Sequence, residues 1–202
     1  MDTEQIIELE PWVVHMPHVK LSARQFWEVC AANPDWRLEL TADGDVIIMA
    51  PTGAETGAAG ARITTQLGLW ANRDGSGVAF DSSTGFELPN GAIRAPDAAW
   101  VTRRRLAGLT RRQKQKFLPL CPDFAIELKS PTDRLRVVQA KLREYVANGT
   151  RLGFLIDAQT QVVYVYRPHT PVRRLARPAT LSGAPVLPGF TLDLGPIWDL
   201  GF

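Results

Sequence analysis

The chain has 202 residues, 45% hydrophobic and 22% charged, which is enough to bury a core without metal or disulfide staples and fits one domain over 1–202. A net charge of +2 is nearly neutral and does not identify a nucleic-acid binder, and neither the acidic start nor any later segment reads as a signal peptide or membrane span, so the cytoplasm is the expected compartment. Cys30 and Cys121 stand in unrelated contexts without further Cys or His at ligand spacing, which argues for free thiols against a zinc site or a disulfide framework.

The first 20 residues, with Pro11 and Pro17, read as an irregular lead-in. From Ser22 to Ala32 the spacing predicts a short amphipathic helix, capped by Ser22, with Phe26, Val29 and Cys30 on one face and Pro34 stopping it. Trp36 to Thr41 and Asp45 to Met49 predict two strands around an Asp43-Gly44 turn, and alternation in the first puts Arg37 and Glu39 together. Gly53 to Gly60 leads into a helical pattern with Ile63, Leu67 and Trp70. The stretch lacks the Gly-Lys-Ser/Thr ending of a phosphate-binding loop, so close helix packing is the favoured reason for its glycines.

Gly77 to Asp81, Thr84 to Leu88 and Ala92 to Val101 predict a meander of strands, the last two joined by a Pro89-Asn90-Gly91 turn. Between Arg103 and Lys116 lie seven of the 23 basic residues and no acid, on a segment predicted to carry a helix from Thr110. A solvated helix face and a phosphate-contacting surface are equally good readings of that run.

Phe124 to Lys129 predicts a strand whose Phe124, Ile126 and Leu128 face one way while Glu127 and Lys129 face the other, roughly 6 to 7 Å apart. The helix after it has Thr132 or Asp133 as cap, the stripe Leu135, Val138, Leu142, Tyr145 and Val146, and an Asn148-Gly149 end. Lys141 falls on the border of that stripe, where it either snorkels to water or is directed inward. Leu152 to Ile156 and Val162 to Tyr166 predict a hairpin, and the Pro- and Gly-rich tail predicts edge structure and wrapping, with strand-like pieces at 171–175 and 190–194.

An acid and a lysine on one sheet face need a partner, and Pro96-Asp97, 30 positions before Glu127, supplies a second carboxylate. Two carboxylates beside a lysine suit Mg²⁺, an oxygen-seeking ion that needs only one or two protein carboxylates, whereas zinc would want His or Cys. In phosphodiester hydrolysis Asp97 and Glu127 would be ligands and Lys129 the positioning cation. The plain alternative is a surface salt bridge between Glu127 and Lys129.

Pro96-Asp97 followed by Glu127-Leu128-Lys129 matches the PD-(D/E)XK nuclease signature. The segments Arg37-Leu38-Glu39-Leu40, Asp81-Ser82-Ser83-Thr84-Gly85-Phe86, Ala95 to Val101, Cys121 to Pro131 and Lys141 to Gly149 resemble a restriction-endonuclease-like family of bacterial proteins within that superfamily, over roughly residues 20 to 195. The resemblance implies an α/β fold with a central mixed β-sheet flanked by helices, an extra N-terminal hairpin and C-terminal edge strands. It further implies a metal site of Asp97, Glu127 and the Leu128 backbone carbonyl, with Glu39 as an additional acidic residue from an early element. Many members take their lysine from the following helix, and this chain has both Lys129 and Lys141. Lys141 and Tyr145 are similar to a helix Gln and Tyr pair near the active site of some relatives, while a His that many members carry after the position of Pro51 is missing here.

The expected activity is Mg²⁺-dependent endonucleolytic cleavage of DNA, with Mn²⁺ as a substitute. The competing readings are a non-catalytic interaction module on the nuclease fold and a metal-dependent hydrolase of RNA or nucleotides. A homodimer would supply two symmetric sites for cutting both strands, although no residue pattern marks an interface.

Overall fold

The computed structural model describes residues 12–202, so the acidic start and the first part of the lead-in lie outside the described residues. The chain runs through β1 (Trp12–Val14), α1 (Ala23–Ala32), β2 (Arg37–Leu40), β3 (Val46–Met49) and the long α2 (Ala54–Asp74). Next come β4 (Gly77–Asp81), β5 (Phe86–Glu87), β6 (Ile93–Arg94), β7 (Ala98–Thr102), and two short helices, α3 (Arg103–Ala107) and α4 (Arg111–Lys114). The second half holds β8 (Phe124–Lys129), α5 (Leu135–Ala147), β9 (Leu152–Asp157) and β10 (Val162–Tyr166). The tail forms β11 (Arg173–Ala176), β12 (Thr180–Ser182), β13 (Thr191–Asp193) and α6 (Gly195–Trp198).

The central sheet has the order β11-β10-β9-β8-β7-β4, and a second, antiparallel sheet has the order β1-β3-β2-β6-β5. In the central sheet β8 and β9 run parallel while the other neighbours run antiparallel, so the sheet is mixed. A parallel pair needs a crossover, and α5 provides it. Its first turn follows, after the short connection 130–134, from the end of β8 that carries Glu127 and Lys129. Among the described residues no helix is long and apolar enough to cross a membrane.

Strand β8 separates the two faces of the central sheet by simple alternation. Phe124, Ile126 and Leu128 pack with Ala59, Ile63, Leu67 and Trp70 of α2. Ala125 joins Val138, Leu142 and Tyr145 of α5 on the opposite face. Each fully buried large apolar side chain contributes about 1.5–3 kcal/mol, so the α2 face anchors β8 and lets the other face hold charged groups. Small residues bring α5 close: a Cβ at Gly153 of β9, the register partner of Ala125, would lie 2.7 Å from Leu142 Cδ1. Helix α5 ends as its sequence indicates, at Asn148 and a Gly149 with φ of +115°.

Several expectations need correction. The lead-in contains β1, whose Trp12, Val13 and Val14 pair with Ile48, Ile47 and Val46 of the hairpin, because β-branched residues can extend an existing antiparallel edge. The meander does not form: β4 pairs with β7, whereas β5 and β6 pair in the other sheet. The reason lies in Pro96, which has no N–H to donate and interrupts the run from Ala92 to Val101, so the chain changes sheets at Ala95-Pro96-Asp97. The glycines at the start of α2 do not mediate close packing either, since a Cβ at the N-cap Gly53, at Gly57 or at Gly60 would meet nothing within 4 Å. Helix α5 takes Arg134 as its N-cap, because Asp133 turns back to accept the backbone N–H of Ser130 at 2.8 Å. The tail places β11 at an edge as expected, but Leu181, Leu187, Phe190, Leu192 and Leu194 also enter the α2-side core.

Candidate active site

Where the chain leaves the second sheet at Pro96, Asp97 stands one step beyond the register pair Ala98 and Ile126, which places it opposite Glu127. Its Oδ2 accepts the backbone N–H of Leu128 at 2.8 Å, standing in for the ladder bond that the chain gives up there. The β8 pleat turns Glu127 toward α5, where the Tyr145 hydroxyl donates to its Oε1 at 2.9 Å and Lys141 Nζ lies 2.9 Å from the same oxygen.

Lys141 is therefore directed inward. Its Nζ also lies 2.8 Å from Oε1 of Glu39, which reaches the site from β2 in the other sheet. Glu39 is buried and accepts the backbone N–H of Ala95 at 2.9 Å. Arg94 on β6 completes the arrangement, with Nη1 3.1 Å from Glu39 and Nε 2.6 Å from Glu144 of α5. Arg37, which strand alternation puts on the face of Glu39, does not pair with it and instead donates to the Ser82 carbonyl at 3.1 Å.

The two lysine-bound acids differ in their protonation. Burial alone would raise Glu39, but Lys141 and Arg94, with the Ala95 N–H, override it and hold the carboxyl below its ordinary range. Glu127 is raised by burial to about 8, since Lys141 only partly offsets burial and the negative charges of Asp97 and Glu39 add to it. Asp97 is also raised, chiefly by burial, against the opposing pull of Lys141, the Leu128 N–H and Arg37. Lys141 stays charged, because the attraction of the three acids outweighs its own desolvation.

Two largely buried cations, Arg94 and Lys141, thus serve four carboxylates, those of Glu39, Asp97, Glu127 and Glu144. With all four ionised the cluster is short of two positive charges. Among the described residues no group of three or more His, Cys, Asp or Glu is placed to hold a metal ion by itself. A pair of carboxylates nonetheless suits a hard divalent cation that completes its shell with water and substrate oxygens, and the donor set has none of the nitrogen or sulfur that zinc prefers.

A family model for Uma2, described as "Putative restriction endonuclease", matches residues 23–195. The chain belongs to this family. A crystal structure of a "putative nuclease belonging to DUF820" from Anabaena variabilis ATCC 29413 superposes with a TM-score of 0.72 at 19% identity, covering 88% of this chain and 97% of that one. At that identity the likeness shows the fold, a restriction-endonuclease-like one. No curated protein matches the chain.

In this Uma2 chain the remaining sequence-derived candidates separate clearly. Lys129 leaves β8 beside Glu127, but its Nζ donates to the Ser130 carbonyl at 3.0 Å rather than to a carboxylate. The basic run from Arg103 follows the end of β7 remote from Asp97, and Arg105 pairs with Asp123 at 3.1 Å, before β8 begins. Glu127 lies four residues further along, about 13 Å at strand spacing, and neither α3 nor α4 buries a residue. This geometry favours the solvated-face reading of that run. Arg94 and Glu144 were not identified from sequence. Glu144 could have been, since it is three residues after Lys141 on the same helix face, whereas nothing local marks Arg94.

The protonation pattern predicts a stability profile. In the folded metal-free chain Glu127 keeps its proton up to about pH 8 and in the unfolded chain releases it near 4.5. Between these values unfolding releases a proton, so the contribution of Glu127 to stability is full below pH 4.5 and lost as pH rises toward 8. Glu39, shifted the other way, acts below 4.5. Melting curves in chelator should therefore show Tm falling from pH 5 to 8, with a shallower fall in Glu127→Gln; equal slopes in the two proteins would contradict the raised Glu127.

Proposed function

We propose that this chain is a Mg²⁺-dependent endonuclease that hydrolyses phosphodiester bonds in DNA, with Mn²⁺ able to replace Mg²⁺. The observation that carries this reading is Lys141, held between Glu39 and Glu127 in a buried cluster whose four carboxylates, Asp97 among them, outnumber its two cations. The carboxylates of Asp97 and Glu127 and the backbone carbonyl of Leu128 would hold the ion. When bound, it would supply neutralisation of the phosphate and acidification of water.

The chain's own residues supply the rest. Lys141, held 2.8 and 2.9 Å from Glu39 and Glu127, would supply a fixed positive charge to orient the attacking water and to stabilise the negative charge that builds on the phosphoryl oxygens. Tyr145 donates to Glu127 and fixes its rotamer, leaving the second carboxylate oxygen for a ligand. Glu39 holds Lys141 from the opposite side, and Arg94 keeps Glu39 ionised and in place. We assign the positioning role to Lys141 instead of Lys129, whose head is bound to the Ser130 carbonyl. Cutting both strands calls for two such sites, which a homodimer would supply.

The test is cleavage of supercoiled and linear DNA, with RNA as a parallel substrate. Purified chain should nick or cut DNA with Mg²⁺ or Mn²⁺, lose activity in chelator, and be inactive as Glu127→Ala. Equal activity in the parent and Glu127→Ala would remove the assignment; cleavage of RNA alone would move it to the other sugar.

A further inference from the structure

We propose that Arg37 is a phosphate-contacting residue at the mouth of the site, gripping the backbone of the nucleic-acid strand that enters it. This rests on the nuclease reading above. Arg37 begins β2, two residues before Glu39, so strand alternation turns both side chains to the same face of the second sheet. Glu39 runs inward and is buried, whereas Arg37 is exposed.

The other cations near the carboxylates are placed differently. Arg94 spans Glu39 and Glu144, Lys141 spans Glu39 and Glu127, and Lys129 is turned onto the Ser130 carbonyl. The basic run from Arg103 to Lys116 begins at the far end of β7. Among the described residues Arg37 forms no ion pair with an acid, yet its charge is felt at Asp97. The contact that it does make is a single bond from Nη2 to the Ser82 carbonyl, in the turn between β4 and β5. That turn is itself tied, since Asp81 Oδ1 accepts the backbone N–H of Ser83 at 3.0 Å and its hydroxyl at 2.6 Å.

One nitrogen thus fixes the direction of the guanidinium and the remaining N–H groups stay available. Arginine presents five donors in a planar fork that matches two phosphate oxygens, and a fork already oriented by a carbonyl loses less freedom on binding. The bond also joins β2 of the second sheet to a loop that follows β4 of the central sheet, so the arginine sits where the two sheets meet. Two segments that stood out in the sequence, Arg37-Leu38-Glu39-Leu40 and Asp81 to Phe86, are thereby explained as one unit: the second orients the cation of the first.

The experiment is fluorescence-anisotropy binding of a short duplex DNA in chelator, where no cleavage interferes, from about 50 to 200 mM salt. Losing one phosphate contact should weaken binding and reduce the slope of log K against log salt by about 1 in Arg37→Ala. Arg37→Lys, which keeps the charge and loses the fork, should recover the slope but not the full affinity. A purely structural role in holding the Ser82 turn would lower affinity without changing the slope. An unchanged slope in Arg37→Ala therefore overturns the inference whatever the affinity, and if the parent still cuts DNA, only the Arg37 assignment falls. Absence of binding by a parent chain that cleaves DNA with Mg²⁺ would remove this inference alone, whereas absence of both binding and cleavage would remove the nuclease reading with it.

Discussion

Under the proposed activity, Lys141→Met should lower the rate of DNA cleavage by roughly 100- to 1000-fold, the usual loss when one preorganised donor to a developing charge is removed. The same change at Lys129 should alter the rate only a few-fold, on the order of a surface contact. The contrast follows from position: Lys141 lies 2.8 and 2.9 Å from the carboxylates of Glu39 and Glu127, whereas Lys129 bonds a backbone carbonyl. Methionine preserves the length and apolar stem of the side chain. The fold should survive, because Glu39 retains Arg94 and the Ala95 N–H, and Glu127, already raised by burial, keeps its proton more readily once the lysine that lowers it is gone. Single-turnover rates with matched melting curves would settle it, and a larger loss at Lys129 than at Lys141 would reverse the assignment.

Arg94→Met should be the most destabilising single change at the site. The guanidinium is only 11% exposed and joins Glu39 on β2 to Glu144 on α5, thereby linking the two sheets through the helix that packs on the central one. Removing one member of a buried ion-pair network leaves uncompensated charge and costs about 3–5 kcal/mol. For a chain of this size that lowers Tm by on the order of 10 °C. Adding Glu39→Gln to Arg94→Met should restore part of the loss, since much of the penalty is the orphaned carboxylate itself. A single variant that melts with the parent would show the network to be solvated.

The features legible in the sequence were those encoded within one element. Ser22 with Gln25 forms a capping box at the start of α1, as the Ser22 cap suggested. Asp43-Gly44 joins β2 to β3, and the stripe Val138, Leu142, Tyr145 is the buried face of α5. Such patterns follow from the two side-chain periods, 3.6 and 2, and from turn chemistry. The pairing of β4 with β7 was not legible, because strands adjacent in sequence normally neighbour each other and the effect of Pro96 appears only when the chain switches sheets. Neither was the choice between the two lysines. Two positions from Glu127 on its own strand and fourteen away on a helix are equally credible until the crossover helix is laid on the sheet.

The chain's own residues thus determined that Glu127 would share a strand face with a lysine, that Asp97 would follow a strand-breaking proline, and that a capped amphipathic helix would carry Lys141 and Tyr145. Only the tertiary structure decided that Lys141 rather than Lys129 meets the acids, that Glu39 enters from a second sheet, and that Arg94 binds it there. The physical reason is the range of the forces involved. Alternation and capping act over a few residues, whereas an ion pair selects whichever charge the packing of α2 and α5 against β8 brings within about 3 Å.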